Sequence, residues 1–521
     1  MSSRPIPPRP SLEFDRKQAK LLLDALRRGD RDAAQRFRAH HPRFGPGGTE
    51  RGAALYDAQL VVAREYGFAS WPRWKQFVEA RQLDTRERAA ELVRAACDGD
   101  MRKASMLLDV QPDLERFDLY SACACGAAEH AAQLLTRDPS LAHRRGGPLD
   151  RAPILYACFS RFLRRDARRA AGIVRVVRLL LDHGADADAH YTTGAQGETR
   201  IQTALYGAAG IANNAELTRM LLAAGADADE LAGDGEVGAA TLGPEALYHA
   251  SEFADVSCLR LLLEASPPPR PRRISYCLAR MLDFENPAGV DLYLAHGADP
   301  NFRIPWLRDR THLHRAIANG RSAAIIRRLL EAGGDPNVTD DRGLTPLRSA
   351  LRHGRDDVAG LLREAGADVT QVTPDDASAA TVDPDVLCAA ASRNDVELML
   401  RLLEAGADPN APGGMDEMPP LHSACWRGHV SAARLLIARN AIVHALNRYG
   451  SDALGTTLHG SVNCHDPLGG ITMKLPEEIT HGDYPAVADL LIAAGARLPQ
   501  RTAGSEAVQD VLRRAGVPEP D

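Results

Sequence analysis

One interval constrains this chain more than any other feature: nineteen residues separate a leucine from a turn-forming residue, again and again. In the stretch GLTPLRSALRHGRDDVAGLLREAGADV, from Gly343 to Val369, Leu347 stands nineteen residues before Gly366. The same gap separates Leu92 from Gln111, Leu119 from Asp138, Leu247 from Ser266, Leu278 from Gly297, Leu387 from Gly406 and Leu421 from Asn440. One residue is added at Leu205–Gly225 and Leu313–Gly333, ten at Leu155–Gly184 and eighteen at Leu458–Gly495. The ruler marks eleven units, several of them degenerate. A fixed period of this length points to a repeat architecture in which no unit buries its apolar face alone, so neighbours must stack.

The chemistry inside each unit explains the period. Thr203, Thr311, Thr345 and Thr456 are of the type that caps a helix by accepting an orphan backbone N–H. Pro346 suits the first helical turn, where its missing donor costs nothing. Gly184, Gly225, Gly297, Gly366, Gly406 and Gly495 suit the left-handed residue that ends a helix. The Thr-Pro-Leu opening, the Leu-Leu pair and the Gly-Ala-Asp close together resemble the ankyrin repeat. The resemblance covers about residues 85–500. It implies an all-α solenoid of antiparallel helix pairs joined by hairpin-like loops. Tyr120, Tyr156, Tyr206 and Tyr248 stand where that motif usually has a His after its Leu, and a Tyr hydroxyl can serve the same loop-to-loop hydrogen bond.

Residues 1–10 are rich in Pro and Arg and read as a disordered tail. Residues 11–84 read as a helical module. Its segment REYGFASWPRW, with Ser70 as a cap and Trp71, Trp74 and Phe77 on one face, is similar to modules that precede repeats in bacterial ankyrin proteins. The expected task of Trp71 and Trp74 is to seal the first exposed face of the solenoid. Residues 501–521 hold a half-repeat that closes the other end.

Two insertions interrupt the pattern, near 160–170 and 460–482. The first carries five Arg between Arg161 and Arg169, and a lengthened helix pair or a patch for an anionic partner accounts for it. The loops HYTTGAQGETR and LAGDGEVGAATLGPE read as extended hairpin tips, and SPPPRPRR from Ser266 to Arg273 as a kink in the stack.

The chain has 521 residues and a net charge of −6, which offers no electrostatic case for nucleic acid. Its nine Cys show no disulfide or metal rhythm, and Cys123, Cys158, Cys388 and Cys425 fall where a small buried residue is needed. With no leader-like amino terminus and no run of eighteen apolar residues, a monomer in a reducing bacterial cytoplasm is expected, off the membrane.

The site candidates follow from this frame. His459, Cys464, His465, Asp466, His481 and Asp483 gather in the last unit, but no paired metal-ligand spacing or nucleophile motif supports them. An enzyme or metal protein is therefore the alternative reading, no cofactor is expected, and binding a protein is the principal one. The outward positions of the first helices hold Phe253, Phe284, Arg352, Arg393, Trp426 and Arg427, and the loops add Trp306, Arg308, Arg310, Arg448 and Tyr449. Aromatics with Arg are the residues that most often dominate interfaces. Phe253 and Phe284 serve equally well as packing between helices.

Overall fold

The computed structural model describes residues 4–41, 44, 52–193, 200–229, 245–304, 309–373, 376, 383–413, 418–463 and 482–517. Four helices (Leu12–Arg27, Arg31–His40, Leu55–Glu65 and Trp71–Gln82) come first, and helix pairs follow from Thr85 onward. In the most regular pairs a short helix is followed by a nine-residue one, as in Pro346–Arg352 with Asp356–Glu364. The Thr345 hydroxyl accepts from the Arg348 N–H at 3.3 Å, with Pro346 next to it. All six closing glycines have positive φ, from 79° at Gly184 to 96° at Gly406, and Asn440 matches them at 64°. In the two earliest pairs Gln111 and Asp138 have negative φ instead, −151° and −143°, and Pro112 and Pro139 open 3-10 turns there.

Neighbouring pairs are laced through their loops. Asn301 donates its amide to the Gly333 carbonyl at 2.8 Å and accepts from the Asp335 N–H at 2.8 Å. Asn337 repeats this with Gly366 and Asp368, and Asn410 with Asn440 and Ile442. This ladder gives the Asp-Pro-Asn and Gly-Asp-Pro-Asn loops a reason in hydrogen bonding. The tyrosine substitution works as expected at two positions. The Tyr156 hydroxyl donates to the Gly146 carbonyl at 2.7 Å and accepts from the Leu149 N–H, and Tyr120 donates to the Arg144 carbonyl at 3.0 Å.

Some expectations need correction. The first helix of the last unit starts at Ala453, so Thr456 lies inside it rather than capping it. Its hydroxyl meets His422 Nδ1 at 2.9 Å, and the helix places buried Leu454 one residue after its start, as Leu421 is in the unit before. The register of this unit therefore runs from Leu454, and His459 is exposed instead of holding the buried motif position. Trp74 does not seal the repeats. It is fully buried in the core of the first four helices, donates its indole N–H to Asp15 Oδ2 at 3.0 Å and stacks on Tyr66.

The Arg-rich insertion forms a short helix, Phe162–Arg165, before the long helix Ala167–Asp182. Arg169 pairs with Glu115 at 2.7 Å, Arg164 lies over the Phe253 ring, and the Arg161 N–H reaches the Ala96 carbonyl at 2.8 Å. Two of its five Arg side chains, Arg164 and Arg169, thus serve contacts between units, and Arg161 does so through its backbone. The long helix approaches closely: a Cβ on Gly172 would stand 2.1 Å from the Gly126 carbonyl oxygen. The arms of the first tip loop pair as antiparallel strands, His190 opposite Thr203 and Thr193 opposite Arg200, and residues 194–199 lie outside the described residues. The second, apart from the Glu245 that starts a helix, lies outside the described residues.

Among the described residues the apolar core falls into separate clusters. One buried cluster runs from Ala80 to Ala367 and another from Val386 to Val517, with a third in the first four helices. The seam between Ala367 and Val386 is bridged by charge. Arg342 reaches Asp383 at 3.2 Å and Asp385, Arg310 reaches Asp385 at 2.6 Å, and Arg348 and Arg352 share Asp376 at 2.8 and 2.7 Å. Burial alone would raise the Asp376 carboxyl, yet hydrogen bonds from Arg348, Thr373 and Arg352 outweigh it and hold the group well below the usual carboxylate range. The stack also curves enough for its ends to meet. Glu506 of the last helix accepts from Arg73 at 3.2 Å and from Arg102, and a cavity of about 650 Å³ lies between the two ends.

Candidate functional site

Each outward position read from the sequence can be placed, except Trp306 and Arg308, which lie outside the described residues. Phe253 and Phe284 are buried, so packing is their role. Arg310 and Arg352 are spent inside the fold, on Asp340 and Asp385 in the one case and on Asp376 and Asp383 in the other. Arg393 donates to the Ala318 carbonyl at 2.6 Å, two units back. Arg352, Arg393 and Arg427 therefore do not line up as one exposed strip. First helices carry residues in register, but the ion-pair demands of the seam turn Arg352 inward.

Trp426 is half-buried. Its ring lies 5.2 Å from the ring of His459, and its carbonyl accepts from the Tyr484 hydroxyl at 2.9 Å. Arg427, next in the chain, makes no side-chain ion pair among the described residues. Beyond it the loop between the last two units puts apolar groups in water. Ile442, Leu446 and Tyr449 are 55%, 65% and 66% exposed, and Arg448 lies over the Tyr449 ring at 5.1 Å. The first and second of these were not singled out in the sequence. Ile442 and Leu446 occupy loop positions with no periodic signal, so only the surface reveals them.

The cluster of the last unit is reduced by the structure. Cys464, His465, Asp466 and His481 lie outside the described residues. Asp483 caps the helix Tyr484–Ala493 by accepting from the Ala486 N–H at 3.0 Å, and His459 packs on Trp426. Among the described residues no group of three His, Cys, Asp or Glu is placed to hold a metal ion, and no helix is long and apolar enough to cross a membrane. The eight described cysteines are buried and unbridged, and burial pushes the Cys125 and Cys158 thiols up to about 12, away from thiolate chemistry.

The buried histidines are structural. His314 donates from Nε2 to the Leu344 carbonyl at 2.9 Å while its Nδ1 accepts from Thr311, and His312 donates from Nε2 to the Ser275 carbonyl at 2.8 Å. Burial lowers both, to about 4. Below pH 6.5 the unfolded chain binds protons that the folded chain refuses, so stability falls as the pH drops toward 4. Urea unfolding at pH 7 and at pH 5 is expected to show a loss on the order of 1 kcal/mol per pH unit per histidine. A flat profile would contradict the buried neutral state.

Stacked helix pairs with hairpin loops, a loop ladder of Asn and the motif histidines in loop-to-loop bonds define an ankyrin solenoid. Comparison agrees: family patterns described as "Ankyrin repeats (3 copies)" and "Ankyrin repeats (many copies)" match residues 278–373 and 387–437. The chain is 32% identical over 123 residues to cyclin-dependent kinase 4 inhibitor B of Bos taurus, covering 23% of this chain and 92% of that protein. It is 31% identical over 141 residues to ankyrin repeat protein nuc-2 of Neurospora crassa, covering 26% of this chain and 12% of that protein. It is 31% identical over 136 residues to an ankyrin repeat-containing protein of Treponema pallidum, covering 26% of this chain and 42% of that protein. The chain belongs to the ankyrin-repeat family.

Proposed function

We propose that this protein is a scaffold or adaptor that binds a protein partner through the surface of its last two repeats. The observation that carries this is the exposed group Ile442, Leu446 and Tyr449 with Arg448 at its edge. Aromatic and aliphatic side chains held in water beside an Arg are of the kind that anchors interfaces, and these sit on a loop whose backbone is fixed by the Asn410 ladder. The reading includes Trp426, half-buried at the end of the first helix of the tenth unit. The partner that fits offers an apolar anchor with carboxylates around it. A single chain acting in a bacterial cytoplasm, without nucleic acid, is part of the same reading. Buried, unbridged cysteines support the reducing compartment.

The test is capture of partners from a bacterial lysate by the intact chain, followed by affinity measurement with variants. Trp426→Ala and Tyr449→Ala are each expected to weaken the captured complex by about 2 kcal/mol with the helical signal retained. Variants that keep both their fold and full affinity would move the partner surface elsewhere.

A further inference from the structure

The two ends of the stack meet at one carboxylate. Glu506 opens the last helix, Glu506–Arg514, and its Oε2 accepts from Arg73 at 3.2 Å and from Arg102. These partners lie 433 and 404 residues away in the chain. Arg73 stands in the first turn of Trp71–Gln82, and Arg102 in the first turn of Met101–Val110. The backbone holds Glu506 from its own side. The Ser505 N–H donates to Ser461 Oγ at 2.9 Å, and a Cβ on Gly504 would stand 2.8 Å from the same oxygen. The last helix is thereby tied to Ala453–Asn463, and it packs on Tyr484–Ala493.

This joint differs in kind from those inside the stack. The side chains of Glu506, Arg73 and Arg102 are 31%, 43% and 60% exposed. The seam carboxylates Asp376, Asp383 and Asp385 are 0%, 5% and 6% exposed, and other neighbouring units share apolar core. Ion pairs in water contribute little and are screened by salt, whereas buried pairs are screened much less. Apolar burial is not an attraction between charges, so it has nothing for salt to screen. The cavity of about 650 Å³ lies at this joint, with Tyr56, Leu60 and Trp71 contributed by one end and Pro485 and Val511 by the other. Over that volume the ends face each other across space.

We propose that Glu506, with Arg73 and Arg102, is a salt-sensitive clasp that closes the solenoid into a ring, and that its release gives an open form. Release exchanges two contacts of one half-exposed carboxylate for water, while each stacked pair of helices keeps its core. The cavity walls then separate, and Tyr56 and Val511 come into contact with solvent. Closed and open forms of similar free energy are what lets a modest change in conditions shift the population. The clasp does not depend on the protein-partner surface proposed above, and it needs no ligand.

Small-angle X-ray scattering of the full chain, titrated with NaCl from about 0.1 to about 1 M, tests the clasp, because the Debye length falls there from about 10 to about 3 Å. A reversible rise in radius of gyration and maximum dimension is expected, with the far-UV circular dichroism unchanged. Glu506→Arg is expected to be expanded already at low salt and to respond no further. Adding Arg73→Glu and Arg102→Glu to it restores opposite charges across the joint and is expected to restore the compact form. If Glu506→Arg does not fold, Glu506→Gln removes the charge with little change of shape, and low-salt expansion is expected there. Wild-type dimensions that stay constant with salt overturn the proposal, and so does expansion that comes with loss of helical signal. A folded Glu506 variant as compact as the wild type at low salt overturns it too, as does a folded charge-swapped chain as expanded as Glu506→Arg alone.

Discussion

Asp283→Ala is expected to destabilise the chain by about 3–5 kcal/mol, the largest effect of any single substitution argued for this fold. The carboxylate sits at the end of the first helix of the sixth unit and is 12% exposed at its side chain. It accepts from Arg280 at 2.8 Å, from Arg315 in the next unit, and from the Asn319 amide at 3.0 Å. Removing it takes a carboxylate from two guanidiniums that are themselves nearly buried, at 16% and 7%. Glu252 still pairs with Arg280, which leaves Arg315 as the main loser. Burial raises the Asp283 carboxyl, but Arg315 and Arg280 outweigh this and hold it below its ordinary 3.8. Its contribution is therefore complete above pH 3.8 and is lost as the pH falls through the lower folded value. Denaturant titration of both chains at pH 7 measures the difference. A loss under about 1 kcal/mol, the scale of an ordinary hydrogen bond, would mean that water replaces the carboxylate.

Leu347→Ala is expected to cost about 2–5 kcal/mol, from lost transfer free energy and the cavity left behind. Leu347 is 0% exposed and belongs to the apolar core that ends at Ala367. In a stacked array each unit is stabilised by its neighbours, and this one has an apolar neighbour on one side and the charged seam on the other. The cavity is therefore expected to loosen the end of the first core block before the remainder. Chemical denaturation gives the free energy, and hydrogen exchange over Pro346–Glu364 gives the location. A change below about half a kcal/mol, the range of surface substitutions, would remove Leu347 from the core.

The repeat was legible because it rests on local chemistry. A Gly that must adopt positive φ and a Leu that must face a neighbouring helix leave their marks at a fixed spacing, and Gly366 with Leu347 behave as that spacing requires. The exchange of His for Tyr was legible for the same reason, since one loop-to-loop bond sets the position of Tyr156. Where an insertion breaks the spacing the ruler slips, as it did by one helical turn in the last unit, where Leu454 and not Leu458 opens the helix. The interface candidates were less legible. Arg352 and Arg427 occupy comparable places in their units, yet one is consumed by Asp376 and the other has no ion pair among the described residues.

Local sequence alone determined the class of fold, the helix-turn-helix period and the small buried residues within it, because capping, turn and packing requirements act within a few residues. Three things were decided only by the tertiary structure. The seam between Ala367 and Val386 depends on which side chains meet from the units on either side of it. The meeting of Glu506 with Arg73 depends on curvature accumulated over every unit. The meeting of Arg355 and Arg393 with the turn at Gly320 and Arg321 depends on turns far apart in the chain reaching one place. Charge pairing is long-ranged and sequence spacing is not, so an arginine reads alike in the sequence whichever partner the fold brings to it.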